Sequence, residues 1–209
     1  MNSVPASLLI SALGGAVAAL FLRALLRFTT KLLAERNPLA VYGCADSPRR
    51  RPGILVGIIS HGKGQRVDDE CAMNGRAWEH TREPAEADRM HTIYGPYVND
   101  FGKPGFYRVS FRIYGEGFLA DESPVVILDV IQRPVFMTDE NLVLLGQRIV
   151  RAKELTGKYR RFDVYCYVAG SGTHEYRCLV IPEAFDRNNH ILRFDVIQVY
   201  RHVPSWDIF

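Results

Sequence analysis

Arg76, Trp78 and His80 alternate along the chain, and His91 and Tyr94 follow within a short distance. In an extended strand, residues two apart share a face, so the first three would present a guanidinium, an indole and an imidazole together. That mixture suits a sugar: flat aromatic rings take the apolar face of a pyranose, and planar polar groups take its hydroxyls. Trp78 is equally suited to a core, since large aromatics are mostly buried. Tyr97 lies in an apolar stretch and reads as structural.

Two other groupings could do chemistry. His61, Asp69 and Cys71 supply the residue types of a nucleophile, a base and an orienting acid. A chain with six histidines and four cysteines offers such a set readily, and no nucleophile elbow, HExxH or P-loop accompanies it. Gly62-Lys63-Gly64 lacks the strand–helix setting that makes a glycine loop a phosphate cradle. The acidic run Asp68-Asp69-Glu70 could hold a hard cation such as calcium through oxygen ligands, or could be a solvated loop. No other cofactor is implied.

The elements that would position these residues are strands. Short runs rich in Val, Ile, Tyr and Phe recur between turn signals: 53–61, 76–82, 94–98, 106–114, 125–132, 142–152, 162–168, 175–181 and 191–202. Within 106–114 the alternation puts Tyr107, Val109, Phe111 and Ile113 on one face and Arg108, Ser110 and Arg112 on the other. Only 139–154 also fits a helical period, and its β-branched residues favour a strand for the later half. A tetrapeptide, Asp-Val-Ile-Gln, occurs at 129–132 and again at 195–198, as chance or as strands in equivalent places of two sheets.

The N-terminal part has a different character. Ser3 to Leu22 carries no charge, about the length needed to cross a bilayer core. Gly15 and Ala19 have the small-xxx-small spacing that lets membrane helices approach. Basic residues follow this run and do not precede it: Arg23, Arg27, Lys31, Arg36 and Arg49-Arg50-Arg51. That order argues against a cleaved signal and places the downstream part on the cytoplasmic side. Arg23, Arg27, Lys31 and Glu35 share one helical face and Leu22, Leu25, Leu26, Leu32 and Leu33 the other. Such a helix suits anionic headgroups, or its leucines dock on the β-domain. Asn37-Pro38 ends it.

The expected organisation is a membrane anchor and amphipathic helix over 1–36, a linker over 37–52 and a β-domain over 53–209, an all-β fold behind a transmembrane helix. The net charge of +3 in 209 residues is modest and gathers beside the anchor, so the expected basic partner is lipid and not nucleic acid. Cys44, Cys71, Cys166 and Cys178 have no metal-like spacing. Cys166 and Cys178 fall in apolar strand-like runs and read as reduced core residues, with a Cys166–Cys178 disulfide as the alternative in an oxidising compartment.

From Tyr94 onward the order of features resembles the jelly-roll β-sandwich of carbohydrate-binding modules, the galactose-binding-like type. The residues carrying the resemblance are Tyr94-Gly95-Pro96-Tyr97-Val98, Gly105, Tyr107 to Ile113, Val125 to Ile131, Tyr159 to Tyr167, His174 to Arg177 and Asp195 to Tyr200. It implies non-catalytic saccharide recognition, with Arg76, Trp78, His80, His91 and Tyr94 as candidate contacts. It also implies a structural calcium site in which Asp195 could serve, although the first strands offer no Glu-x-Glu partner. The alternatives are a membrane-tethered scaffold that uses sheet edges or the tail Trp206–Phe209 to bind a protein, and a hydrolase around His61 and Asp69.

Overall fold

A computed structural model describes residues 19–26, 29, 33, 36–46, 54–62, 64–81, 91–99, 101–133, 142–170 and 172–202. Thirteen strands occur in this part of the chain. They are β1 (Ala40–Gly43), β2 (Leu55–Ile58), β3 (Ser60–His61), β4 (Gln65–Asp68), β5 (Arg76–Glu79), β6 (Ile93–Tyr94), β7 (Pro96–Val98), β8 (Gly105–Glu116), β9 (Pro124–Arg133), β10 (Val143–Arg151), β11 (Arg160–Val168), β12 (Thr173–Val180) and β13 (Ile191–Arg201).

They form two sheets. The first has the order β11-β8-β13-β1-β2, with β5 also on β13 and β4 on β5; the second has the order β10-β9-β12-β6-β3, with β7 on β12. The long strands run antiparallel, and β1 with β2 is a parallel pair. The alternation in 106–114 sorts as expected. Tyr107, Val109, Phe111 and Ile113 are buried in the core with Phe162 and Val164 of β11, Leu128 and Val130 of β9, and Tyr176 and Cys178 of β12. The fold is thus mostly β, a two-sheet sandwich.

Three expectations need correction. Residues 37–52 are not simply a linker: Ala40 to Gly43 are all buried and pair with both β13 and β2. The apolar run Leu39-Ala40-Val41-Tyr42 is long enough to fill a gap in the first sheet, and the flanking breakers conceal it. The run 53–61 is two strands, because the chain leaves the first sheet after Ile58 and joins the second at Ser60, with Ile59 buried at the crossing. The strand expected at 76–82 stops at Glu79.

All four cysteines are free, Cys166 in the first sheet and Cys178 in the second. Burial pushes the Cys166 thiol up to about 12, so it stays protonated as a small apolar group.

The uncharged run Ser3–Leu22 lies mostly outside the described residues. No described helix is long and apolar enough to cross a membrane. The helical residues that are described expose Leu20, Phe21, Leu22, Leu25, Leu26 and Leu33, so these side chains do not dock on the sandwich. The tail Trp206–Phe209 also lies outside the described residues.

Candidate functional site

The five residues expected to contact a ligand come from more than one sheet. Arg76 and Trp78 lie on β5 in the first sheet, whereas Tyr94 lies on β6 in the second. Arg76 is engaged by two carboxylates, Asp68 at 3.1 Å and Asp46 at 3.2 Å. Trp78 is half-buried and packs against the core, with Gly64 directly beside its indole nitrogen. His80 is a core residue: its Nδ1 shares a hydrogen bond of 3.0 Å with Thr92, and its ring meets Phe185 edge-on at 4.7 Å. His91 is partly buried, and burial followed by the Arg177 cation lowers its pKa. Arg76 and Trp78 share β5, which ends at Glu79, and His80 lies past the strand's end; Trp78 packs against the core and His80 is buried.

The acidic run is also engaged. β4 and β5 form a hairpin, and Asp69 sits at its turn. Burial pushes the Asp69 carboxyl up, but hydrogen bonds from Tyr159 Oη (2.7 Å), the Cys71 N–H (3.0 Å) and Arg193 (3.1 Å) outweigh it and hold the pKa low. Asp195 is buried against Arg112 and the Met73 N–H. Among the described residues no group of three or more His, Cys, Asp or Glu could hold a metal ion. His61 belongs to β3 of the second sheet while Asp69 packs on Arg193 of the first, so the triple with Cys71 is not assembled on one element.

A concave feature among the described residues lies elsewhere, at the end of the sandwich where β8 stops and β9 and β13 start. A cleft of about 360 Å³ opens between the 117–123 loop, the short 3-10 turns at Ala152–Glu154 and Pro182–Ala184, and His190. Phe118 stacks on His190, ring centroids 4.3 Å apart and 17° from parallel. Leu119, Pro124, Ile181 and Ala184 extend the apolar wall, and Asp121, Ser123 and Glu183 supply oxygens. The aromatic series continues inward through Phe185, 6.1 Å from His190, to the buried His80.

Local backbone chemistry holds this geometry. Gly117 turns the chain at φ +86, where side chains are disfavoured, and its α-carbon faces the Asn189 carbonyl. The Asp121 side chain accepts the Ser123 N–H at 2.9 Å, an Asx turn, and Ala152 and Lys153 donate to the Ser123 and Asp121 carbonyls. Opposite, Asp186 accepts from Asn188 and donates its own N–H to His190 Nδ1 at 3.0 Å. A neutral His190 therefore carries its proton on Nε2, a donor.

Gly117→Ala tests this frame. A β-carbon there would stand 2.0 Å from the Asn189 oxygen. The combination of clash and positive φ should cost roughly 2 kcal/mol, read as a lower midpoint in urea unfolding. A stability equal to wild type would show that the two loops do not constrain each other.

Sequence reasoning passed over Phe118, Asp121, Glu183 and His190 because they sit in loops, where periodicity carries no signal. The available cue was local: Gly117-Phe118-Leu119 places large apolar residues directly after a strand and before the acidic pair Asp121-Glu122.

No protein-family model and no curated protein matches the chain. Solved structures are similar to it in fold. The carbohydrate-binding module CBM6cm-2 of Cellvibrio mixtus lichenase 5A, in complex with cellotriose, gives a TM-score of 0.45 at 9% identity, over 80% of this chain and 100% of that one. The CBM22-1 xylan-binding domain of Paenibacillus barcinonensis Xyn10C gives 0.43 at 9% identity, over 70% and 86%. CsCBM6-3 from Clostridium stercorarium, in complex with cellobiose, gives 0.40 at 11% identity, over 79% and 98%. These similarities to CBM6 and CBM22 carbohydrate-binding modules cover 70% to 80% of this chain.

Proposed function

We propose that the protein is a membrane-held, non-catalytic saccharide-recognition domain whose binding site is the cleft beside Phe118 and His190. The observation that carries this reading is the open aromatic stack rimmed by oxygens. Stacked rings offer an apolar platform for pyranose C–H groups, and Asp121, Glu183 and Ser123 can accept or share hydroxyl protons. The anchored part of the proposal draws on the uncharged run Ser3–Leu22, the basic residues that follow it and the exposed apolar side chains from Leu20 to Leu26. The positive-inside rule then puts the sandwich on the cytoplasmic face. Tethering raises the local concentration of the site near the bilayer, so a weak individual affinity suffices for a membrane-linked glycan chain long enough to reach the cleft.

The test is saturable binding of the full chain, in lipid nanodiscs, to a broad glycan panel. Phe118→Ala removes half of the stack and should weaken binding roughly tenfold. A folded chain that binds no glycan, or binding untouched by Phe118→Ala, overturns the reading. A second reading, protein docking, is favoured by one observation: Val143, Leu144 and Ile149 are exposed on β10, an edge strand of the second sheet. Leu144→Asp should abolish capture of a partner under that reading and leave glycan binding unchanged under the first.

A further inference from the structure

Strand directions sort the sandwich into two ends. β13 starts beside the cleft and runs for 11 residues, about 36 Å at the usual strand rise, to Arg201. At that far end β1 enters, with Ala40 opposite Val199, and β2 starts with Leu55 opposite Ala40. The same end holds the close of β11, where Tyr165 faces Arg108 and Tyr167 faces Phe106. His202, from which the tail continues, donates its N–H to Phe106. The end of the sandwich that receives the N-terminal segment is therefore the end opposite the cleft.

This end is aromatic and basic. Tyr165 and Tyr167 are 55% and 50% exposed, high values for large rings. Phe106 packs on Tyr167 at 4.9 Å, and His202 meets Tyr165 at 4.9 Å. Arg108 lies over the Tyr200 ring at 4.4 Å, and Arg201, the last residue of β13, lies over the Tyr107 ring at 5.0 Å. Asp163 is the acidic group facing them, 3.8 Å from Arg108. Tyrosine, with an apolar ring and a polar tip, belongs at a headgroup layer, and arginines complement anionic lipid.

We propose that this end is a second membrane contact, in which Phe106, Tyr165 and Tyr167 enter the headgroup layer of the bilayer that the N-terminal segment enters. The proposal rests on the anchored reading above. Its geometric basis is the tether. Residues 37–39 separate the last described helical residue, Arg36, from β1, and three residues span at most about 11 Å. With the basic helix on the headgroups, so short a connection leaves no room for a macromolecule between this end and the bilayer. The cleft is then held on the side facing away from the membrane.

The experiment uses the full chain reconstituted in phosphatidylcholine vesicles with and without phosphatidylserine. Nitroxide labels are placed at Tyr167→Cys, at Tyr165→Cys and, at the cleft end, at Leu119→Cys. Exposed Cys71 is changed to Ser throughout, the other three cysteines being buried. The expected result is a ratio of oxygen to nickel-chelate accessibility several-fold higher at 165 and 167 than at 119, rising with phosphatidylserine. Equal, water-like accessibility at all three positions in a chain that sediments with vesicles overturns the docking and leaves the anchor intact. A chain that stays in the supernatant overturns both.

Discussion

Asp195→Ala should destabilise the protein by about 3–5 kcal/mol, the cost of removing one partner from a buried ion pair. Asp195 is 1% exposed and lies on β13, in the middle of the first sheet. Its carboxylate pairs with Arg112 of the adjacent β8, and both its oxygens accept the Met73 N–H, at 3.0 and 3.1 Å. Arg112 in turn donates to the Cys71 carbonyl at 2.9 Å and lies 4.3 Å from the Tyr159 ring centre. One carboxylate thus ties the 71–73 turn to the sheet. Its removal strands a guanidinium and a backbone N–H. The charge itself is held at a cost: burial pushes the Asp195 carboxyl up despite the pull of the Met73 N–H and Arg112. Replacing both partners with apolar residues, Asp195→Leu with Arg112→Met, should therefore recover most of the loss. Urea unfolding of the two single variants and the double variant measures this. A single variant within 1 kcal/mol of wild type would show that the pair is not a structural tie.

The second large effect concerns acid. His174 is fully buried at the start of β12, edge-on to Phe101 at 4.3 Å, and neither ring nitrogen has a hydrogen-bond partner of ordinary geometry among the described residues. Burial lowers its pKa to about 4, with the Val98 backbone opposing. The unfolded chain carries an ordinary imidazole near 6.5. Above that value His174 is neutral in both states and pH has no leverage through it. Between 6.5 and 4 the unfolded state binds a proton that the folded state refuses, so stability falls as pH falls. The full gap is worth about 3 kcal/mol, of which about 2 kcal/mol is lost by pH 5. Denaturant unfolding at pH 7.5 and pH 5 should show this loss in wild type and its removal in His174→Leu. His91, lowered by burial and by Arg177, acts in the same direction and stays in both proteins, so the difference isolates His174. Identical pH dependence in the two would refute the assignment.

The repeated Asp-Val-Ile-Gln shows where sequence reading reaches and where it stops. Both copies lie on interior strands, β9 and β13, one in each sheet. Each aspartate pairs with an arginine of a neighbouring strand: Asp129 with Arg177 at 2.7 Å, and Asp195 with Arg112. Past the aspartate the copies diverge. In β9 Val130 faces the core, whereas in β13 it is Ile197, because an irregularity between Phe194 and Ile197 shifts the register by one residue. Strand alternation cannot announce a bulge, since an extra residue costs nothing in the local pattern and is set by the partner strand.

Alternation, turn chemistry and charge order were enough to determine most of the long strands, the face of β8 that is buried, the free thiols and the abrupt change of character between the N-terminal run and the sandwich. These are local properties, set by the two-residue period of strands and by the cost of burying charge. Tertiary structure alone decided that Ala40–Gly43 completes a sheet, that His80 is a core residue and that Arg76 and Asp69 are already neutralised by partners distant in sequence. It alone brought Phe118 to His190 across 72 positions of chain. A cleft between loops is a property of how sheet ends are juxtaposed, and no periodicity within either loop encodes it.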